Sequence, residues 1–128
     1  MKLLWLRDSR NVLTLALCLI LLWLSFALSQ PGDTFKASVY WGQFASIAGE
    51  QQWAYAFAIT GMMGLWGMTT CHPIIRQSAI AILATMHGVI ALCFVLGTPP
   101  GVPMATSVGP YTIYALLGYY VVWRRFVP

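Results

Sequence analysis

Residues 11–29 read NVLTLALCLILLWLSFALS, an uncharged apolar run bounded by Arg10 and by the turn-forming Gln30-Pro31-Gly32. About 20 apolar residues carry a helix across the hydrocarbon core of a bilayer, so this run suffices for one span. Ala27-Leu28-Ser29 ahead of Gln30 loosely resembles a signal-peptide cleavage site. The run is longer than the roughly 7–15 residues of a signal-peptide core, so an uncleaved helix is expected.

Three more segments have the same character. Residues 52–70 (QWAYAFAITGMMGLWGMTT) and 78–97 (SAIAILATMHGVIALCFVLG) are uncharged and of spanning length. The fourth, 111–127, opens with YTIYALLGYYVVW and spans only if Phe126 and Val127 join it. Cys71-His72-Pro73 closes the second segment, because proline disfavours helix in the residue before it. The turn that follows carries Arg76. Thr98–Pro110, with four prolines and two glycines, reads as an uncharged loop.

Composition agrees. The chain of 128 residues is 59% hydrophobic and 8% charged, where a soluble domain carries roughly 25% charged residues. So small a soluble fold has too little interior to hide that much apolar surface. The expected fold is all-α: one integral-membrane four-helix bundle spanning residues 1–128, in contact with the lipid bilayer.

The net charge of +4 does not indicate nucleic acid. Lys2, Arg7, Arg10, Lys36, Arg76, Arg124 and Arg125 flank apolar runs instead of forming a patch, and anionic headgroups are the natural counter-charge. With a cytoplasmic start and four spans, all of them except Lys36 face the cytoplasm. That is a strong positive-inside signal. The expectation is a multi-pass protein of the bacterial inner membrane with both termini cytoplasmic. Cys18, Cys71 and Cys93 make neither a disulfide framework nor a metal spacing and read as reduced thiols.

The outer loop, residues 30–51, starts with the turn Pro31-Gly32-Asp33-Thr34. Beyond it, Tyr40, Phe44 and Ile47 would share one face of a helix at i, i+4, i+7. Two readings stand: a short interfacial helix with rings at headgroup depth, or a loop folded over the bundle.

Few residues could carry chemistry. His87 lies mid-span, where ionisable groups are costly and invite a functional explanation. It could ligate haem or relay a proton; the plainer reading is a neutral imidazole bonded to a neighbouring helix through Thr60 or Thr85. His72 could contact haem or a quinone, or simply cap a helix C-terminus. The two histidines are the candidate cofactor residues. Gly61, Gly64 and Gly67 form a smooth flank on the second span, and Ala84-x-x-x-Gly88 is a small-residue pair on the third. Both patterns let helices approach closely. The short turn between these spans suggests that they pack on each other; self-association is the other reading. Met62, Met63, Met68 and Met86 lack the register of a copper path and read as deformable packing. The acidic residues all fall outside the spans. No catalytic constellation can be assembled, so no enzyme and no resident cofactor is expected.

PGDTF at residues 31–35, the aromatic segment after it and the tryptophan-led, glycine-rich second span resemble small multi-span membrane proteins of tailed phages and prophages. The resemblance covers about residues 28–97. It implies a non-enzymatic inner-membrane protein that oligomerises or contacts another membrane protein, either holin-like or as a superinfection-exclusion factor. The alternative, kept open by His72, His87 and the aromatic content, is a small accessory subunit of a respiratory or photosynthetic complex near haem or quinone.

Overall fold

The computed structural model describes residues 9–70 and 72–124. Lys2, Arg7, Cys71, Arg125, Phe126 and Val127 lie outside the described residues. The described chain is all-helical, with no strand. Four long helices, α1 (Ser9–Ser29), α4 (Glu50–Thr69), α5 (Pro73–Gly97) and α6 (Val108–Trp123), pack side by side. Two short ones, α2 (Thr34–Ala37) and α3 (Gly42–Ile47), flank a 3-10 turn at Val39–Trp41 in the outer loop.

The long helices alternate in direction. Gly61 of α4 lies against Leu22 and the Cys18 carbonyl of α1, and Gly64 against Leu83 of α5. Gly88 and Gly118 meet Ala115 and Ala84 across the α5–α6 seam. The start of α1 and the end of α6 therefore lie at one end of the bundle, and the outer loop and the loop 98–107 lie at the other.

The prolines fall where helices begin. Pro73 is the first residue of α5, where a missing N–H costs no hydrogen bond. The helix thus starts five residues before the expected span, and Arg76 sits on its first turn, not in a loop. Pro110 falls in the first turn of α6 for the same reason, so Val108–Pro110 are helical although the sequence reads as loop there.

The long helices carry large apolar side chains on their outward faces as well as in the core. On α1 the inward stripe is Asn11, Thr14, Cys18, Leu21 and Leu28, while Leu19, Trp23 and Phe26 point outward. On α4, Thr60, Gly61, Gly64 and Gly67 are buried, and Ile59, Met62 and Trp66 are exposed. On α6, Ala115 and Gly118 face in, and Ile113, Leu116 and Trp123 face out. Trp23 is 68% exposed and Trp66 62%. Asn11–Ser29 and Pro73–Gly97 are long and apolar enough to cross a membrane.

The outer loop folds over the bundle end. The continuous helix face expected for Tyr40, Phe44 and Ile47 does not form, because the chain changes from 3-10 turn to α-helix between them. Phe44 is fully buried and Ile47 is exposed. The Trp53 indole N–H donates to the Phe44 carbonyl at 2.9 Å, and the Tyr40 hydroxyl to the Pro103 carbonyl at 2.7 Å. The Phe35 N–H donates to the Glu50 carboxylate. Gly97 admits the loop: a Cβ there would stand 2.8 Å from the Tyr40 carbonyl oxygen. Phe35, Trp41, Phe44, Trp53 and Phe94 form one ring cluster beneath the loop, with neighbouring centroids 4.9 to 6.2 Å apart. Lys36 and Asp33 pair at 2.9 Å on its exposed side, and the neighbouring carboxylate raises the lysine pKa.

Candidate functional site

His87 is the most unusual polar residue of the interior. It lies ten residues before the end of α5, about 15 Å along the axis from the outer end. The side chain is fully buried. Its Nδ1 lies 2.8 Å from the Leu83 carbonyl oxygen, one turn back on the same helix. A carbonyl can only accept, so Nδ1 carries the proton and Nε2 is left as a bare lone pair. Nε2 is buried and has no hydrogen-bond partner. Leaving such a group unsatisfied costs about 1–3 kcal/mol.

The surroundings explain the isolation. Thr60 Oγ1 donates to the Ala56 carbonyl, and Thr85 Oγ1 bonds the Ala81 carbonyl and the Tyr119 hydroxyl, each at 2.8 Å. Neither threonine reaches His87, so the expected bond to a neighbouring helix is absent. Hydroxyls in helices readily bond the carbonyl four residues back, which takes them out of play. What faces the imidazole is α6. The ring centres of Tyr111 and Tyr114 lie 5.9 and 5.7 Å away, and 5.8 Å from each other. Tyr111 also touches Phe94, at 6.2 Å. A column of rings thus runs from the outer cluster to His87. Nothing singled out these tyrosines in the sequence. Their spacing of three on the helix antiparallel to His87 was the available signal.

His72 is elsewhere. It is exposed and holds the N-cap position of α5 without a side-chain cap bond. The C-terminal cap considered for it is thereby corrected: Pro73 starts a new helix, so His72 belongs to that helix and not to α4. Fifteen residues separate it from His87, about 22 Å along the axis. The two form no common site. No cluster of three metal-binding side chains occurs among the described residues. A haem plane does not fit at His87 either, because the side chain is fully buried and no open space adjoins its Nε2.

The small residues pack internally, though not in the expected pairing. Gly61 serves α1, Gly64 serves both α1 and α5, and Gly67 rests on Ala79 of α5. Ala84 and Gly88 face α6 instead of α4. A short turn makes α4 and α5 neighbours in the chain, but the side chains decide which stripe meets which helix. The methionines share no register: Met62 and Met63 are exposed and Met68 is buried.

A second polar contact ties the other end. Arg76 donates from Nη2 to Asn11 Oδ1 at 2.7 Å, joining α5 to α1 beside Thr14 and Gly67. Sequence reading treated Asn11 only as the start of a span. Its pairing with Thr14 at i, i+3 on an apolar helix was the overlooked sign.

Comparison of the chain with protein-family models, characterised proteins and solved structures finds no match.

Proposed function

We propose that the chain is a four-span helical bundle of the bacterial inner membrane, with both termini cytoplasmic, that works without catalysis by contacting another membrane protein. The observation that carries the membrane reading is the large apolar side chains exposed on the outward faces of α1, α4 and α6. Asn11, Thr14, Thr60, Gly61, Gly64 and Gly118 are buried, while Leu19, Trp23, Phe26, Ile59, Trp66 and Leu116 are exposed. Water would penalise that surface, whereas lipid does not. The described charges support it: Asp33, Lys36 and Glu50 sit at one end and Arg76 and Arg124 at the other. α6, with 16 residues, is about 24 Å long and short for a span. It packs antiparallel along α5, however, and so shares its passage through the bilayer. The basic residues Lys2, Arg7, Arg10, Arg76, Arg124 and Arg125 set the orientation.

Within the phage-type reading, the exclusion-like mode is favoured over a holin-like pore. Holin-like assembly would want small-residue faces free for other copies, and Gly61, Gly64, Gly67, Ala84 and Gly88 are all engaged within the chain. The test is graded expression in a bacterium carrying a membrane-potential dye. The potential should hold at high expression. Depolarisation at low expression would return the protein to the holin-like class. Reporter fusions check topology: a fluorescent protein at the C-terminus should light up, and alkaline phosphatase should be active after Met104 and inactive at the C-terminus. A second reading, an accessory subunit of an electron-transfer complex, is favoured by one observation, the unsatisfied Nε2 of His87.

A further inference from the structure

We propose that the groove between the start of α5 and the end of α6 binds the phosphodiester of an anionic phospholipid, with the side chains of Gln77 and Ser78 as its donors. The proposal rests on the membrane reading above, which puts this end of the bundle in a headgroup layer. Ile74, Gln77, Ser78 and Ala81 form one wall and Val122 the other, around a space of about 260 Å³. Ile74, Ser78, Ala81 and Thr85 follow one another at i, i+4, i+7 and i+11, so they share one face of α5. On that face the Thr85 and Tyr119 hydroxyls bridge the two helices one turn deeper, at 2.8 Å, and mark the inner end of the groove.

Two side chains in this groove bond nothing in the protein. Thr60, Thr85 and Thr112 each donate to the carbonyl four residues back on their own helix. Ser78 makes no such bond, and the Gln77 amide makes none either. Their depth says what they meet. The 25 residues of α5 measure about 37 Å, and Gln77 and Ser78 stand about 6 and 7.5 Å from its first residue. A hydrocarbon core of about 30 Å leaves about 3–4 Å of the helix projecting at each end. Both side chains therefore lie at the edge of the hydrocarbon, where lipid phosphate and glycerol oxygens are the acceptors at hand. The charge of the lipid follows from the same end. Gly118 lies against Ala84, so Arg124, six residues further along α6, stands level with Ser78, six residues back on the antiparallel α5. Arg124 makes no ion pair among the described residues, and its guanidinium lies 5.8 Å from the Tyr120 ring centre. Arg76 is bonded to the neutral Asn11. The described carboxylates, Asp33 and Glu50, are both at the other end. Cations without a carboxylate beside them match a headgroup of net negative charge better than a zwitterion.

The test is native mass spectrometry of the full chain released from detergent micelles that contain equal amounts of phosphatidylglycerol and phosphatidylcholine with the same acyl chains. One phosphatidylglycerol per chain should be retained in preference to phosphatidylcholine. Arg124→Gln should lower that preference about fivefold, the effect of one cation near the headgroups. Gln77→Leu/Ser78→Ala should abolish retention while the circular dichroism melting curve stays in place, because neither side chain bonds anything in the protein. Lys36→Gln, at the other end, should change nothing. Equal retention of the two lipids by the wild type overturns the proposal. So does retention that survives Gln77→Leu/Ser78→Ala, since the lipid would then be held elsewhere. A chain that stays monomeric in buffer without detergent refutes the membrane reading itself, whereas one that needs detergent and shows no lipid preference refutes the site alone.

Discussion

Gly118→Ala should destabilise the bundle, and Gly109→Ala on the same helix should not. A Cβ built on Gly118 stands 2.7 Å from the Ala84 Cβ, while one on Gly109 meets nothing within 4 Å. Carbon atoms rest at about 3.5–4.0 Å, so the Gly118 variant must open the α5–α6 seam by about 1 Å. Overpacking of that kind costs about 1–3 kcal/mol. Replacing glycine by alanine in a helix gains about 1 kcal/mol, which offsets part of it. The net loss is about 1 kcal/mol for Gly118→Ala, against a gain of about 0.5–1 kcal/mol for Gly109→Ala. Ala84→Gly alone loses about 1 kcal/mol of helix propensity and the packing of its methyl group. The double variant merely exchanges the methyl across the seam and should return close to wild type. Reversible unfolding in mixed micelles, followed by circular dichroism, measures all four. The expected coupling is about 2 kcal/mol, within the range for residues in contact. If the two substitutions add instead of cancelling, Ala84 and Gly118 do not face each other and the α5–α6 register is wrong.

Trp53→Phe removes the indole N–H bond to the Phe44 carbonyl, which keeps the Ala48 N–H as its other donor; a loss of about 0.5–1.5 kcal/mol is expected in the same unfolding assay, and an unchanged midpoint would mean that the outer loop is not held there. Asn11→Leu leaves the Arg76 guanidinium without its 2.7 Å acceptor and should cost about 1.5–3 kcal/mol, with Asn11→Asp retaining stability. Lys36→Gln breaks only an exposed pair with Asp33, so the melting temperature should not move. His72→Gln should also leave the melting temperature unaltered, because the side chain makes no cap bond.

Much of this protein was legible from its sequence for one physical reason. An uninterrupted apolar run of about 20 residues has no turn former or proline to break it, and a helix bonds every backbone group within itself, so such runs read as helices. Residues 11–29 and 78–97 declared themselves that way. The helix starts were less legible. Pro73 and Pro110 look like breakers, yet a first helical turn has no N–H to lose there. The site was half legible. Mid-span His87 stood out by type and depth, but its partners did not, since a hydroxyl such as Thr60 satisfies itself on its own helix. Periodicity shows that a glycine face exists and cannot say which helix will fill it.

By itself the sequence determined the helical class, the concentration of charge outside the apolar runs and the presence of one histidine inside such a run. These follow from the transfer energies of single side chains, which are local properties. Only the tertiary structure decided that the aromatic outer loop closes over the bundle and that Ala84 and Gly88 serve α6. It also left Nε2 of His87 without a hydrogen-bond partner, with the rings of Tyr111 and Tyr114 packed beside the imidazole. Those outcomes depend on which surfaces interdigitate at a few ångströms, a property of pairs of helices that no single stretch of chain contains.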